Sequence, residues 1–572
     1  MKEKTHWLDR YANNRHTWRK STQNGISTFT RPVGLVELSF DTDGTVFGGR
    51  ADMNALLSLE ISHSFSTKEE FRRRVALAWA CLGLLHVMLI CRTEDNEETK
   101  EKMFVVDACG EKSVDERVKE IENRIVWVED SYPQGVDEED LYKHCLNVGR
   151  IIEPEICLSK LHVLPLKELG DGRFEARFLI ILAHQISDGL SAYNWFSHFI
   201  RLLNEPEQEL KSKMERLGLG EEIEKRLPSA QEDLYTRAGH NKARERWFWA
   251  IMRVLRHVRK PLPPTFVNPL RREKRLEIKF PPAYEKIFNY TPSALPPMNS
   301  GHINASLSPS ASQRLISLCR SIRVSIGAGC FALAGLSMME IYESRFPDVP
   351  DGERLPFTAS FPLNPRAFFG STEAADSCML AFSEGIVMPF LGKGVSVEGR
   401  FKLIARHANR ELRMYQKRAK NPGRGAERFD PHDPKRLLAT GYLAQLERVE
   451  AKLPPQRKTD FNPQGLLQAK TGAFGATCGV SSVGPTASYF RSGVHDLSDV
   501  RKNGRDFVAN FKDFKQGVRA RENEFLVGSS TDAEGIVHFS VSYDLSGISE
   551  EAAEGWKIKI EGLLEEGERA RL

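Results

Sequence analysis

The sequence has few of the features that mark a disulfide-bonded or metal-binding protein. Its nine cysteines are odd in number and widely scattered, and none stands in a Cys-x-x-Cys or mixed Cys/His spacing. There is also no His-Glu-x-x-His segment of the kind that binds zinc in metalloproteases. We therefore expect reduced thiols in the core, no metal site and no permanently bound cofactor.

A strong charge of one sign and a long hydrophobic run are also missing. Lys and Arg total 81 against 77 Asp and Glu, so the net charge of +4 gives no electrostatic argument for nucleic acid or membrane partners. The first ten residues contain no apolar run of signal-peptide type. Residues 75–91 are mostly apolar but fall short of the roughly 20 residues that span a bilayer. We expect a cytoplasmic, monomeric protein with no membrane span.

What is present is the composition of an ordinary globular protein that is too long for one core. Of the 572 residues, 41% are hydrophobic and 28% are charged, which is the normal globular range. A single hydrophobic core stops growing at about 250–300 residues, so two lobes are expected. Strand-like and helix-like segments alternate and no repeat of solenoid period occurs, which predicts an α/β fold.

The first quarter of the chain shows that alternation. Ser66-Thr-Lys-Glu69 reads as a capping box that begins a buried helix ending near Gly83. The following His86-Val-Met-Leu-Ile-Cys-Arg92 is too short for a second helix, so we predict a core strand there.

The middle of the chain, residues 204–297, is first rich in charge and then rich in proline. This composition suits helices and a long crossover. We accordingly predict an N-terminal lobe (1–230), a crossover (231–300) and a C-terminal lobe (301–572). The second lobe should open with a strand at 302–307 and two helices, the first capped by Ser308-Pro309, and close with a strand at 535–543 and a helix after Ser549.

The strongest chemical signal is His184-Gln-Ile-Ser-Asp188-Gly189. Chance alone predicts about one His-x-x-x-Asp match from 15 histidines, and a second match, His495 to Asp499, lies in a polar stretch without a preceding strand. By contrast, His184 follows a run at 174–183 that becomes continuously apolar, as in a fully covered strand. An amphipathic helix is predicted from Gly189 to about Glu205.

A histidine at a strand-to-helix junction projects from a rigid support, and its ordinary pKa lies near working pH, which suits a general base. Asp188 can fix the local turn, and Gly189 tolerates backbone angles or a close approach that other residues would not. The alternative is that His184 is simply a hydrogen-bonded histidine at the end of a sheet.

The motif resembles that of the CoA-dependent His-x-x-x-Asp acyltransferase superfamily, which includes chloramphenicol acetyltransferase, fungal and plant O-acyltransferases and peptide-synthetase condensation domains. His86 to Arg92 is similar to an early family element, with Val87 in place of its usual proline. The resemblance implies two chloramphenicol-acetyltransferase-like lobes, each a mixed sheet flanked by helices, with the active site in a tunnel between them.

The resemblance also implies roles for residues of the second lobe. Phe357-Thr-Ala-Ser-Phe-Pro-Leu-Asn-Pro-Arg366 is similar to the element whose arginine pairs with the motif aspartate, so Arg366 is the expected partner of Asp188. Gly479-Val-Ser-Ser-Val-Gly484 looks like the strand whose serine hydroxyl supports the oxyanion, which points to Ser482 or else Ser481. An ordinary loop arginine and a strand of small residues are the alternatives.

Differences from the motifs of individual family members indicate which branch of the family the chain resembles. The plant-type Asp-Phe-Gly-Trp-Gly motif is missing, and Ala183 stands where condensation domains often have a second histidine. The length and Pro362-Leu-Asn-Pro-Arg366 resemble trichothecene 15-O-acetyltransferases. The resemblance thus implies an acyl-CoA-dependent O-acetyltransferase of secondary metabolism, with His184 as base and a small hydroxylated acceptor that the sequence does not reveal.

The CoA contacts are not specified by the sequence, although Lys417-Arg-Ala-Lys-Asn-Pro-Gly-Arg424 could form a basic rim, or simply a solvated loop. Two other functions stay open. One is an amide-forming condensation enzyme that uses a carrier-protein thioester, and the other is an inactive binding protein on the same scaffold.

Overall fold

A computed structural model describes residues 6–23, 26–108, 110, 112–237, 241–291, 299–370, 373–383, 385–420, 433–470 and 476–565. The strands of these residues, in chain order, are β1 (Arg19–Gln23), β2 (Ile26–Pro32), β3 (Met53–His63), β4 (Arg92–Asp95), β5 (Lys102–Asp107), β6 (Val126–Trp127), β7 (Ser159–Val163), β8 (Lys167–Gly170), β9 (Arg173–Leu182), β10 (Ser300–Ser306), β11 (Phe357–Ser360), β12 (Pro362–Leu363), β13 (Ala381–Phe382), β14 (Ile386–Met388), β15 (Cys478–Pro485), β16 (Phe507–Val518), β17 (Phe525–Thr531) and β18 (Val537–Asp544).

The helices surround these strands on the outside of the sheets. They are α1 (Leu35–Val46), α2 (Lys68–Leu85), α3 (Val114–Glu122), α4 (Val128–Ser131), α5 (Glu138–Cys145), α6 (Gly189–Leu203), α7 (Glu207–Leu217), α8 (Gly220–Glu224), α9 (Lys242–Val258), α10 (Pro309–Ser321), α11 (Ile326–Arg345), α12 (Val397–Lys420), α13 (Pro434–Lys452), α14 (Asp499–Lys502) and α15 (Glu550–Gly562).

Two mixed sheets, each with its own hydrophobic core, form the two lobes. The first has the order β16-β3-β9-β7-β6, with β8 attached to β9, and the second has the order β10-β18-β17-β15-β11-β14. A smaller sheet, β1-β2-β5-β4, lies beside the first lobe. One core cluster belongs to the first sheet and its helices and another to the second. The predicted α/β fold with two mixed-sheet lobes is confirmed.

One strand from the second half of the chain joins the first sheet. β16 lies far along the second half of the sequence, yet it pairs antiparallel with β3 from Phe507↔His63 to Val518↔Met53. The predicted lobe 301–572 therefore contributes an edge strand to the first sheet. This pairing brings the turn after β16 close to the first lobe, where Arg519 donates to the Gly48 carbonyl.

The segment predicted as a core strand at 86–92 is different in the structure. Helix α2 continues past Gly83 to Leu85, and a single 3-10 turn follows at Val87–Ile90. Only from Arg92 does the backbone become a strand. Val87, Met88 and Leu89 are all buried, so the 3-10 turn places three consecutive side chains in the core.

Helix ends are close to their predicted positions. Thr67, rather than Ser66, caps α2, and its partner in the capping box is Glu70. Ser308 caps α10 with Pro309 at the first helical position, as predicted.

In the described part of the chain, no single helix has the length and apolarity to cross a membrane, and α10 with α11 passes that test only as a pair bent by 114°.

Candidate active site

His184 lies directly beyond the buried end of β9. β9 is covered on both sides, and its last residue pairs with Met53 of β3 and Ser159 of β7. The backbone then turns, with the Ile186 amide donating to the Ala183 carbonyl at 3.1 Å. Because both neighbouring strands hold β9, the imidazole projects from a rigid support.

The surroundings of the His184 ring favour its neutral form. Phe40 of α1 stacks on it with ring centroids 4.0 Å apart and an angle of 5° between the planes. Burial lowers the pKa of His184 below its usual 6.5. Nδ1 is buried, and the neighbouring backbone groups of His184 and Ser187 oppose part of this lowering of the pKa. A neutral imidazole at pH 7 can accept a proton, which is the property a general base requires.

Asp188 caps α6, and none of its described hydrogen bonds is to the imidazole of His184. Its Oδ1 accepts hydrogen bonds from the amides of Leu190 and Ser191 at 3.1 and 3.0 Å. Its Oδ2 accepts from the amide of Met379, in the other half of the chain, at 3.0 Å. These contacts cap α6 and hold the turn after His184.

Arg366 meets Asp188 as predicted, but with one arm. Nη2 of Arg366 donates to Oδ2 of Asp188 at 2.7 Å, and the two side chains are only 9% and 4% exposed. The other carboxylate oxygen, Oδ1, accepts the amides of the helix cap. Nη1 instead donates to Asn364 Oδ1 at 3.3 Å, and Nη2 also reaches the carbonyl of Ser377.

The prediction for Gly189 is wrong. Gly189 is the first residue of α6 and does not have a positive φ, and a Cβ placed on it would meet nothing within 4 Å. Helical backbone angles are open to every residue type, so neither a special conformation nor a close approach requires glycine at this position.

Around this ion pair, one face of α6 is joined to residues 375–379 of the other half. Ser191 Oγ donates to the Ser377 carbonyl at 2.8 Å, and Asn194 Nδ2 donates to the Ala375 carbonyl at 3.0 Å. Trp195 Nε1 donates to Asp376 Oδ1 at 2.6 Å. The motif therefore lies where the two halves of the chain meet.

Asp376 also contacts His86, which in turn contacts His198. Its Oδ1 lies 2.5 Å from Nδ1 of His86, and Nε2 of His86 lies 2.8 Å from Nδ1 of His198. The segment that resembles an early family element thus supplies, through His86, a further polar contact between the halves.

Ser481 and Ser482 lie on β15, whose neighbours β11 and β17 run parallel to it. A Cβ on Gly327, at the start of α11, would lie 3.3 Å from Ser482 Oγ, so this hydroxyl is beside α11. Side chains alternate along a strand, so Ser481 points to the other face of the sheet. The oxyanion role of either serine stays a prediction.

Helix α1 is the main element of the site that the sequence analysis missed. It carries Phe40, and it also carries three buried carboxylates, Glu37, Asp41 and Asp43. Two aspartates directly after Phe40, in Phe40-Asp-Thr-Asp43, followed by Gly48-Gly49-Arg50, are the signal that could have indicated it. The predicted basic rim at 417–424 lies outside the described side chains. Within the described residues, no group of three or more His, Cys, Asp and Glu could hold a metal ion.

Comparisons with known proteins find relatives by fold. No protein-family model and no curated protein matches the chain. The solved structure of TRI3 trichothecene 15-O-acetyltransferase from Fusarium sporotrichioides is similar with a TM-score of 0.62, at 10% identity over 96% of each chain.

Two looser likenesses, both with a TM-score of 0.48, are polyketide synthase associated protein 5 from Mycobacterium tuberculosis and the condensation domain of the Monacolin K polyketide synthase MokA. Their identities are 12% and 10%, over 93% and 94% of this chain and 98% and 96% of theirs. The chain therefore has the fold of the trichothecene acetyltransferase, and at 10% identity the likeness concerns the fold alone.

Proposed function

We propose that the protein is an acyl-CoA-dependent O-acyltransferase that acetylates a hydroxyl of a small secondary metabolite, such as a terpenoid or an alcohol. The observation that carries the proposal is the neutral, partly enclosed His184 at the end of β9, with the next turn fixed by Asp188 and Arg366. The shared fold with an acetyltransferase supports the same reaction class.

In the proposed reaction, the acceptor hydroxyl gives its proton to His184, and its oxygen attacks the carbonyl carbon of the thioester. Nδ1 is buried, so Nε2 is the ring nitrogen that receives the proton. The tetrahedral intermediate then expels the CoA thiolate, which recovers the proton from the imidazolium. No acyl-enzyme forms, and most of the acceleration comes from holding the two substrates together.

The test is thiol release from acetyl-CoA with a panel of hydroxylated terpenoids and simple alcohols. With an accepted substrate, His184→Ala should lower kcat at least about 100-fold while the protein stays folded. The matched control is His495→Ala, because His495 begins the other His-x-x-x-Asp of the chain and should leave kcat unchanged. Near-normal turnover in His184→Ala would exclude the mechanism.

The pH profile gives an independent check on the base. Only neutral His184 can accept a proton, and burial lowers its pKa below 6.5. The acid limb of kcat/KM should therefore lie below pH 6.5. An acid limb above that value would contradict the assignment.

A condensation-type enzyme is the second candidate, since the same histidine could deprotonate an amine that attacks a carrier-bound thioester. Replacing the alcohols by amines and acetyl-CoA by an acyl carrier protein in the same assay separates the two. An inactive binding protein would bind ligand without releasing thiol in any combination.

A further inference from the structure

The cluster that suggests a further site surrounds Asp43, near the end of α1. Asp43 is completely buried, and three cations from distant parts of the chain contact its carboxylate. Lys452 Nζ lies 2.8 Å from both oxygens, Arg50 Nε donates to Oδ1 at 2.9 Å and Arg521 Nη2 donates to Oδ2 at 2.5 Å. One negative charge thus holds three positive charges in place.

A fourth cation lies beside this group. Arg448 is one turn before Lys452 on α13, and repulsion from Arg521 adds to burial in lowering its pKa. The second nearby carboxylate, Glu524, accepts the Arg521 backbone amide at 2.7 Å. Among the described residues, this cluster therefore combines four cations with two carboxylates, which leaves an excess of positive charge.

The state of Lys452 reflects that excess. An ammonium in contact with both oxygens of a carboxylate would ordinarily have a raised pKa. Burial and repulsion from Arg521 instead lower the pKa of Lys452 to about 8. Bringing a multiply charged anion to the cluster would relieve this repulsion, and guanidinium groups pair with phosphate oxygens in a directed way.

The cluster is also close to His184. Phe40 stacks on the His184 ring, and Asp43 is three residues further along α1, so their side chains are neighbours on one face, about 5–6 Å apart at Cβ. The charge of Arg521 contributes to lowering the pKa of His184. The cations come from the turn after α1, from α13 and from the turn after β16, which together form a preformed basic surface beside the candidate active site.

We propose that Arg50, Arg448, Lys452 and Arg521 bind the phosphate groups of the acyl-CoA co-substrate. The inference rests on the proposed function and assigns a place to the part of the co-substrate that does not react. The phosphates lie at the basic cluster, on the side of α1 that carries Phe40. Lys452, Arg521 and Arg50 keep 16%, 29% and 12% of their side chains exposed, so a ligand can reach them.

Equilibrium binding tests the assignment without requiring turnover. Calorimetric titrations with CoA, dephospho-CoA, 4′-phosphopantetheine and pantetheine are compared for the native chain and for Arg448→Gln, Lys452→Gln and Arg521→Gln. Each change should weaken CoA binding about 10-fold, the effect of one lost charge-assisted hydrogen bond, and leave pantetheine binding unchanged. Lys452→Arg, which keeps the charge, should bind CoA much more tightly than Lys452→Gln.

The matched control is Lys435→Gln. Lys435 is exposed and lies on the same helix as Lys452, about 25 Å away along its axis. Lys435→Gln removes a positive charge, as Lys452→Gln does, and should not alter CoA binding. Arg448→Gln guards against misfolding, because that variant keeps Lys452, Arg50 and Arg521, which make the described hydrogen bonds to Asp43.

The outcomes separate the site from the proposed function. Cluster variants that bind CoA like the native chain, or that lose CoA and pantetheine equally, would overturn the site. Equal affinity of the native chain for 4′-phosphopantetheine and CoA would overturn CoA as the ligand and indicate a carrier-protein arm. Phosphate-dependent CoA binding that is retained in His184→Ala, without thiol release from any acceptor by the native chain, would support the site while the proposed activity fails.

Discussion

Asp188 and Asp43 are both buried carboxylates that join the first lobe to the second half of the chain, but their charge balance differs. Asp188 meets one guanidinium, and its remaining lone pairs accept backbone amides. Asp43 meets three cations. A balanced pair needs nothing further, which suits a structural role, whereas an excess of buried cations is a costly arrangement that a bound anion would relieve. Substitutions at four positions, Arg366, Asp188, Asp43 and Asp41, test this contrast.

The largest effect is expected from breaking the balanced pair. Arg366→Met leaves Asp188 buried without its countercharge and should lower the free energy of unfolding by about 3–5 kcal/mol. Asp188→Asn keeps the helix cap but removes the charge. Since both changes remove one interaction, the double variant should cost less than the sum of the two, with a coupling of about 0.5–3 kcal/mol.

Urea unfolding of the two single variants and the double variant measures this coupling. Arg320→Met, at an exposed position of α10, is the control and should change stability by less than about 0.5 kcal/mol. Additive effects would mean that the pair contributes little and that the comparison with Asp43 has no basis.

A smaller loss is expected from Asp43→Asn, about 1–3 kcal/mol, because the three cations keep partial exposure and can turn towards water. Burial opposes ionisation, but Arg521, Lys452 and Arg50 outweigh it and hold the pKa of Asp43 below its usual 3.8. The stabilisation is therefore present above pH 3.8 and is lost as pH falls through the lower pKa of the folded state.

Thermal unfolding across pH, with and without inorganic phosphate, checks this prediction. The deficit of Asp43→Asn should shrink below pH 3.8, and phosphate should raise its Tm more than that of the native chain, because the variant has the larger cation excess. If phosphate stabilises both chains equally, the charge-balance argument fails.

The smallest effect is expected at Asp41, two residues earlier on α1. Burial raises the pKa of Asp41, and attraction from Lys102 and Arg150 does not overcome it. The ionised side chain is thus a cost that grows as pH rises above 3.8 towards the raised pKa. Asp41→Asn should be neutral or stabilising by up to about 1 kcal/mol at neutral pH. Unfolding in urea at pH 5 and pH 8 measures this, and a loss comparable with that of Asp43→Asn would contradict it.

The sequence by itself determined the strand-to-helix frame of the site. The continuous apolar run before His184 predicts β9 because a strand covered on both faces must be apolar throughout, and the spacing after Gly189 predicts α6. Ser308-Pro309 indicates a helix start for local reasons of capping and proline geometry. These signals lie within a few residues of the element they indicate, so tertiary contacts do not change the prediction.

Arg366 was found through resemblance rather than through a local pattern, and only the tertiary structure decided that one of its arms reaches Asp188 while the helix cap occupies the other oxygen. The same limit applies at Val87–Ile90. The local sequence predicts a strand there, whereas the structure has a 3-10 turn.

The stacking of Phe40 on His184, the passage of β16 into the first sheet and the meeting of Arg50, Lys452 and Arg521 at Asp43 depend on residues up to 478 positions apart. Hydrophobic periodicity and helix-capping residues carry information about the neighbours of a residue along the chain. The charge balance of a buried carboxylate depends on which distant cations the fold brings to it, and no local pattern in the sequence encodes that number.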